Sequence, residues 1–168
     1  GSKLKEIKEY AFYGCETIKR INFPESIKTI GAYAFQNCDS LEAAILPKNV
    51  KIIETYTFSG CSRLRNLVLP DSLTTIEIGA FSFCSSLDSV ILPKSIKEIK
   101  SSAFSYCSNL VLIRIPAKNV KFDIDEENVN DAIAEIPLCK CADVTDANVI
   151  DKLGIANFDV VIIAMASN

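Results

Sequence analysis

The chain contains no histidine, no tryptophan and a single methionine among its 168 residues. The absence of histidine excludes Ser-His-Asp triads, Cys-His dyads, HExxH zinc sites and Cys2His2 zinc fingers together. Most familiar hydrolase chemistry is therefore excluded. We expect a protein that is not an enzyme and that needs neither a cofactor nor a metal ion.

Long runs of one kind of residue are also missing. No apolar run approaches the roughly 20 residues needed to span a bilayer, so no membrane insertion is expected, and no charged-then-apolar leader begins the sequence. The net charge of −3 is spread without a long block of one sign, which favours neither nucleic acid nor an anionic membrane as a partner. Gly1 and Ser2 resemble residues left by cloning, and a natural signal peptide upstream is compatible with such a start.

What the sequence does contain is a repeat of 23 residues. Phenylalanine, cysteine and proline each recur at this step: Phe12, Phe35, Phe58, Phe81 and Phe104; Cys15, Cys38, Cys61, Cys84 and Cys107; Pro24, Pro47, Pro70, Pro93 and Pro116. Each unit reads L-x-x-I-x-L-P-x-S-I-x-x-I-x-x-x-A-F-x-x-C-x-x. One unit has too few apolar side chains for a core of its own, so the units must stack into a solenoid.

The pattern within one unit predicts its local structure. Over residues 87–93, alternation places Val90 inward and Ile91 outward, which predicts a short strand paired in parallel with its copies about 4.8 Å away. Residues 95–99 predict a second extended or turning segment. Residues 103–107 predict a tight loop or helical turn that brings phenylalanine and cysteine into the core.

The A-F-x-x-C and I-P-x-S-I elements at this step resemble the BspA-type leucine-rich repeats of bacterial and protozoal surface proteins. The resemblance covers residues 4–116, about two thirds of the chain. It implies adhesion or the binding of a protein partner, at the cell surface or in secreted form.

The cysteine row allows more than one interpretation. Neighbouring cysteines would lie about 5 Å apart, which is within the range of a disulfide, and a row of thiolates could also hold a soft metal ion. However, parallel side chains in a stacked row are poorly oriented for bridging. We therefore favour reduced thiols packed as small apolar groups beside the phenylalanines.

Recognition by the repeats would use the outward positions of the first strand of each unit. The candidate partner-binding residues are Arg20, Asn22, Ile45, Val68, Ile91 and Arg114. The apolar side chains in the middle of this row can mark an interaction surface, although β-branched residues also simply suit strands. A second row, Tyr10, Tyr33 and Tyr56, suits an interface, but packing over the turns is the favoured interpretation.

After Pro116 the pattern changes to one of alternating strands and helices. Strands are predicted at residues 119–123, 138–141 and 159–165, and helices at residues 126–135 and 146–153. This segment resembles part of the nucleotide-binding domain of the TrkA-N (RCK) potassium-transport regulators. The resemblance implies a cytoplasmic setting, with Asp123 near a ribose and Asp143 near an adenine.

The first strand and the G-x-G-x-x-G turn of such a domain are absent, so we expect no dinucleotide binding by this segment alone. The alternative function is a regulatory nucleotide-binding fragment completed by another chain, in a natural or engineered chimera. Residues 117–168 are instead expected to cap the last repeat or to form a homodimer.

The predicted fold class is therefore α/β. Residues 3–116 form a leucine-rich-repeat solenoid of about five 23-residue repeats with parallel strands, and residues 117–168 form a partial Rossmann-like βαβαβ segment.

Overall fold

The computed structural model describes residues 4–110, 112–115, 121–122 and 160–162. These residues include twelve short β-strands, and none of them lies in a helix. The strands are β1 (Glu6–Ile7), β2 (Arg20–Asn22), β3 (Thr29–Ile30), β4 (Ala43–Ile45), β5 (Ile52–Ile53), β6 (Asn66–Val68), β7 (Thr75–Ile76), β8 (Ser89–Ile91), β9 (Glu98–Ile99), β10 (Leu112–Ile115), β11 (Lys121–Phe122) and β12 (Val160–Ile162).

The even-numbered strands up to β10 carry the sequence predicted for the first strand of each unit. They pair in parallel between neighbouring units as β2-β4-β6 and as β8-β10. The register joins equivalent repeat positions, for example Ile45 with Val68. The predicted parallel stacking is therefore confirmed for these strands.

The second extended segment of each unit forms another set of parallel pairs. Strands β1 and β3 pair at one end, and β5, β7, β9 and β11 form a four-stranded sheet. The last of these pairs joins Ile99 to Phe122, again 23 residues apart. The sheet thus extends beyond Pro116, where the sequence analysis ended the repeats, because the apolar step is kept at Phe122 although the phenylalanine and cysteine pattern is not.

The core lies inside the coil and consists of the inward side chains of the stacked units. Phe35, Phe58 and Phe81 are fully buried, and consecutive phenylalanine rings are nearly parallel, with centroids 5.0 to 5.6 Å apart. Phe12 is 38% exposed and Phe104 is partly buried. The expected burial of the phenylalanines in the core is confirmed for the middle units, whereas the phenylalanines at the two ends are less buried.

The tight segment after each second strand is a series of turns rather than a helix in every described unit. Its backbone N–H groups alternate between two kinds of acceptor. Phe58 donates to the carbonyl oxygen of Ala80 in the next unit at 2.9 Å, whereas Ser59 donates to that of Tyr56 in its own segment at 3.2 Å. A helix would use all of these donors within its own segment, so the hydrogen bonds between units distinguish this turn from the helical turn that the sequence allowed.

Only two short pieces of the C-terminal segment are described. Besides β11, these are the residues of β12, which pair antiparallel with β10, joining Ile113 to Ile162. A doubly wound nucleotide-binding sheet is mostly parallel, so the described pairing shows no Rossmann-like unit. Both predicted helices lie outside the described residues. The part of the chain that the structure describes is accordingly a solenoid of parallel strands and not α/β.

Candidate functional site

Hydrogen bonds from side chains to the backbone of the preceding unit hold successive units together. The serine of the P-x-S-I element donates to a carbonyl oxygen of the preceding unit. The hydroxyl of Ser72 lies 2.7 Å from the carbonyl oxygen of Val50, and that of Ser26 lies 2.6 Å from that of Leu4. Asn49 replaces the serine and donates to Glu25 at 2.9 Å. This motif residue is therefore a link between turns.

The cysteines form a second set of links. All five cysteines of the repeats are free, with no disulfide among them, which agrees with the expectation of separate thiols. They were expected to be apolar packing groups, but their thiols also donate hydrogen bonds. Cys61 donates to the carbonyl oxygen of Phe35, and Cys84 to that of Phe58, both at 3.2 Å. Burial raises the pKa of the Cys38 thiol to about 11 and that of Cys107 to about 12, so both stay protonated at neutral pH.

The strand face is the surface formed by the outward residues of β2, β4, β6, β8 and β10. Its centre is apolar and open to solvent: Ile45 is 61% exposed, Val68 51% and Ile91 63%. The inward neighbours Ala44 and Val90 are buried. The strands are therefore oriented as the alternation in the sequence predicted.

The ends of the strand face are more polar than its centre. Arg20 and Asn22 are exposed on β2, whereas Leu112 and Arg114 on β10 are half-buried. Five of the six sequence-predicted residues occupy one equivalent outward position, at Asn22, Ile45, Val68, Ile91 and Arg114, and Arg20 occupies the other outward position of β2. The structure joins Asn22 to Ile45 and Ile45 to Val68 as register partners. Whether these residues bind a partner stays a prediction. Asp123 and Asp143, the candidate nucleotide-binding residues, lie outside the described residues.

The tyrosine row forms a stack along the turns. The rings of Tyr10 and Tyr33 have centroids 4.8 Å apart, and those of Tyr33 and Tyr56 5.5 Å apart. The row ends at Gly79, where an added Cβ would overlap the Tyr56 ring. Tyr33 and Tyr56 are half-buried, which agrees with the favoured interpretation that these rings pack over the turns.

A second aromatic group was missed by the sequence analysis. Phe83 and Tyr106 stack with centroids 4.5 Å apart, and they are 54% and 64% exposed. Gly14, Asn37 and Gly60 occupy the same position in the earlier units. The signal was a break in the repeat, since this position changes from glycine or asparagine to an aromatic residue in the last two units.

The described residues contain no group of three or more histidine, cysteine, aspartate or glutamate residues that could hold a metal ion. A helix long and apolar enough to cross a membrane is likewise not found among them.

Comparisons with known proteins agree with the repeat pattern. Residues 1–124 match the family described as the BspA type leucine rich repeat region, in six copies. None of the curated proteins compared with the chain matches it significantly.

Solved structures give the same result. A leucine-rich repeat protein from T. pallidum is 39% identical with a TM-score of 0.66, and the match covers 68% of this chain and 53% of that one. One from Bacteroides ovatus is 34% identical with a TM-score of 0.65, covering 68% and 30%. A leucine rich cell surface protein from Faecalibacterium prausnitzii is 27% identical with a TM-score of 0.64, covering 78% and 33%.

The chain spans between 30% and 53% of the length of these three relatives. The match to the family covers more than half of the present chain, and it includes every strand from β1 to β11. The chain therefore belongs to the BspA-type leucine-rich repeat family.

Proposed function

We propose that the chain is a non-catalytic module that binds a protein partner through its strand face. The observation that carries the proposal is the row of exposed Ile45, Val68 and Ile91 at one repeated position, each more than half exposed. Neighbouring apolar side chains left in solvent on a regular surface are typical of interaction sites.

The geometry of this row suits binding. Ile45 and Val68 are register partners on paired strands, so their side chains stand side by side on a rigid backbone. Both are β-branched and have few rotamers to lose when a partner covers them. A partner can therefore bury these side chains at a low cost in conformational entropy.

The chemistry of the surface also suggests the kind of partner. Arg20 and Asn22 border the apolar row at the β2 end, and Arg114 lies at the β10 end. An apolar centre with a polar rim is the usual composition of a protein interface. The expected partner presents an apolar stripe with a carboxylate at its edge, because this would pair with Arg20.

The setting that we propose is the cell surface or the extracellular space. The support is the similarity to the cell surface protein from Faecalibacterium prausnitzii. Treating intact cells of the native source with a protease tests this point. Cleavage of the chain without cell lysis is expected, and full protection would contradict a surface location.

The binding proposal is tested with an immobilised chain and extracts of host tissue or of bacterial envelopes. Val68→Glu places a charge in the centre of the row and should reduce recovery of the specifically bound protein by at least about tenfold. Ile52→Glu is the matched control, because Ile52 is a 40% exposed isoleucine on β5, outside the strand face. Equal recovery by both variants, or no specifically retained protein, would contradict the proposal.

A further inference from the structure

A groove on the turn side of the solenoid lies between the two aromatic stacks. Its volume is about 540 Å³, within the roughly 300–1,000 Å³ typical of small-molecule sites. Tyr56 lies on one side, Phe83 and Tyr106 lie on the other, and Gly60 lies in the lining between them. None of these residues belongs to the strand face.

The two stacks are interrupted at different units, and this creates the open space. The tyrosine stack ends at Tyr56, whereas the other stack begins one unit later, at Phe83. Gly60 occupies the position one unit before Phe83 and has no side chain to continue the stack. Since Phe83 and Tyr106 stack at 4.5 Å and the Asn37 side chain lies over Gly60, a ring that prolongs the series would lie against Phe83 beside the Asn37 amide.

The position of Phe83 and Tyr106 in the turn favours glycine or asparagine. Its φ lies in the left-handed region in every described unit, from 66° at Gly14 to 59° at Phe83 and 58° at Tyr106. An aromatic residue at this position in the last two units therefore carries a conformational cost. The two rings stack on each other but both stay more than half exposed, and costly backbone geometry kept for exposed side chains is typical of functional positions.

The remaining lining of the groove is polar but nearly uncharged. It contains Gln36, Asn37, Ser62 and Ser85, and the two serine hydroxyls donate to the carbonyl oxygens of Asp39 and Ser62. Ser59 also borders the groove, but it is buried and its hydroxyl pairs with that of Ser82. The Asn37 side chain reaches over Gly60, since an added Cβ there would overlap its Oδ1 atom. Asp39 is the only carboxylate, and no lysine or arginine is among the described residues that line the groove.

The backbone N–H groups around the groove already have acceptors and are not available to an extended peptide. The N–H groups of Asn37, Gly60 and Phe83 each donate to the next unit, at 2.8 Å in all three cases. A peptide that binds by adding a strand needs free donors and acceptors along an edge. Recognition here must rely on aromatic faces and on side-chain amides and hydroxyls.

We propose that this groove is a binding site for a neutral saccharide. A sugar ring has polarised C–H groups on its face, which suit the electron-rich face of Phe83. Its hydroxyl groups can donate to or accept from the Asn37 amide and can donate to the oxygen atoms of the Ser62 and Ser85 hydroxyls. Asp39 can accept from a hydroxyl but repels anionic sugars, which selects uncharged saccharides.

The test measures binding of the chain to an array of uncharged oligosaccharides, namely β-glucans, mannans, galactans and N-acetylglucosamine oligomers. The same array carries sialylated glycans, sulfated glycans and a set of peptides for comparison. Ligands that bind are then titrated by calorimetry. Phe83→Asn is the informative variant, because asparagine occupies the equivalent position at Asn37 with a φ of 59° and should preserve the fold. Loss of affinity of about tenfold or more is expected for it.

Tyr13→Asn is the matched control, because Tyr13 is a 50% exposed aromatic residue that does not line the groove. It should leave saccharide binding unchanged. The proposal is overturned if no uncharged saccharide binds, if Phe83→Asn binds as well as the parent chain, or if anionic glycans or peptides alone bind through Phe83. Because Val68→Glu alters only the strand face, its effect on a protein partner separates this result from the proposed function.

Discussion

The thiol of Cys61 donates a hydrogen bond of 3.2 Å to the carbonyl oxygen of Phe35, one full turn and three residues earlier in the chain. The same relation joins Cys38 to Phe12, Cys84 to Phe58 and Cys107 to Phe81. Each phenylalanine carbonyl is also reached by the backbone N–H of the cysteine in its own unit, as Cys38 reaches Phe35 at 3.3 Å. The repeated spacing of phenylalanine and cysteine thus places two hydrogen-bond donors, a backbone N–H and a thiol, on the same phenylalanine carbonyl oxygen.

Replacing this thiol should weaken the stack in the middle of the solenoid. Cys61→Ala removes the donor and leaves a small cavity, and we expect a loss of about 1–2 kcal/mol in the free energy of unfolding. Cys15→Ala is the control, because Cys15 is half-buried and no earlier unit is present among the described residues. Denaturant unfolding measures both variants. An equal effect of the two substitutions would show that the hydrogen bond adds no stability.

The buried thiols should also make stability depend on pH in the alkaline range. Burial raises the pKa of Cys38 from 9.0 to about 11, so between these values the folded state holds a proton that the unfolded state has released. The full contribution of the neutral thiol to the free energy of unfolding is therefore present below about pH 8. This contribution falls as the pH rises from about 9 to 11. Urea unfolding of the parent chain and of Cys38→Ala at pH 7.5, 9 and 10.5 measures this. A parallel decline in both chains would contradict the assignment to Cys38.

Phe58 lies in the centre of the ring stack and should be the residue most sensitive to truncation. It is fully buried between Phe35 and Phe81, with ring centroids 5.3 and 5.6 Å away. Phe58→Ala should cost about 3–5 kcal/mol because it opens a cavity in the stack. Phe12→Ala, at the exposed end of the same stack, should cost less than about 2 kcal/mol. Calorimetric or denaturant unfolding measures the free energy of unfolding of both variants. A loss below about 1 kcal/mol for Phe58→Ala would contradict a buried position of Phe58 in the ring stack.

The sequence predicted these stacks because a solenoid converts a fixed step along the chain into contact between equivalent side chains. Alternation within Ser89–Ile91 likewise predicted which residues face the core, since a strand reverses the direction of its side chains at each residue. Both features follow from the order of residues alone. They account for the described core and for the strand face.

The sequence did not predict features that depend on side-chain conformation or on backbone angles in the turns. The hydrogen bond from Cys61 to Phe35 requires one orientation of the thiol, which the spacing of residues does not specify. The sequence did not predict the positive φ of Phe83, because an aromatic residue does not indicate a left-handed turn. Gly14 and Gly60, at the equivalent position of earlier units, do indicate one. The groove beside Phe83 was missed for the same reason.

The C-terminal segment should stabilise the last repeats through the pairing of β12 with β10. The residues of β10 pair with β8 on one edge and with Val160–Ile162 on the other. Deleting residues 123–168 removes β12 and leaves the outer edge of β10 without this partner. The deletion is unfavourable because it leaves backbone groups unpaired and exposes the end of the core. We expect a lower melting temperature, lower solubility, or dissociation of a homodimer if the segment joins two copies. Melting curves and light scattering of both chains measure these outcomes, and an unchanged melting temperature together with an unchanged mass would show that the segment does not cap the solenoid.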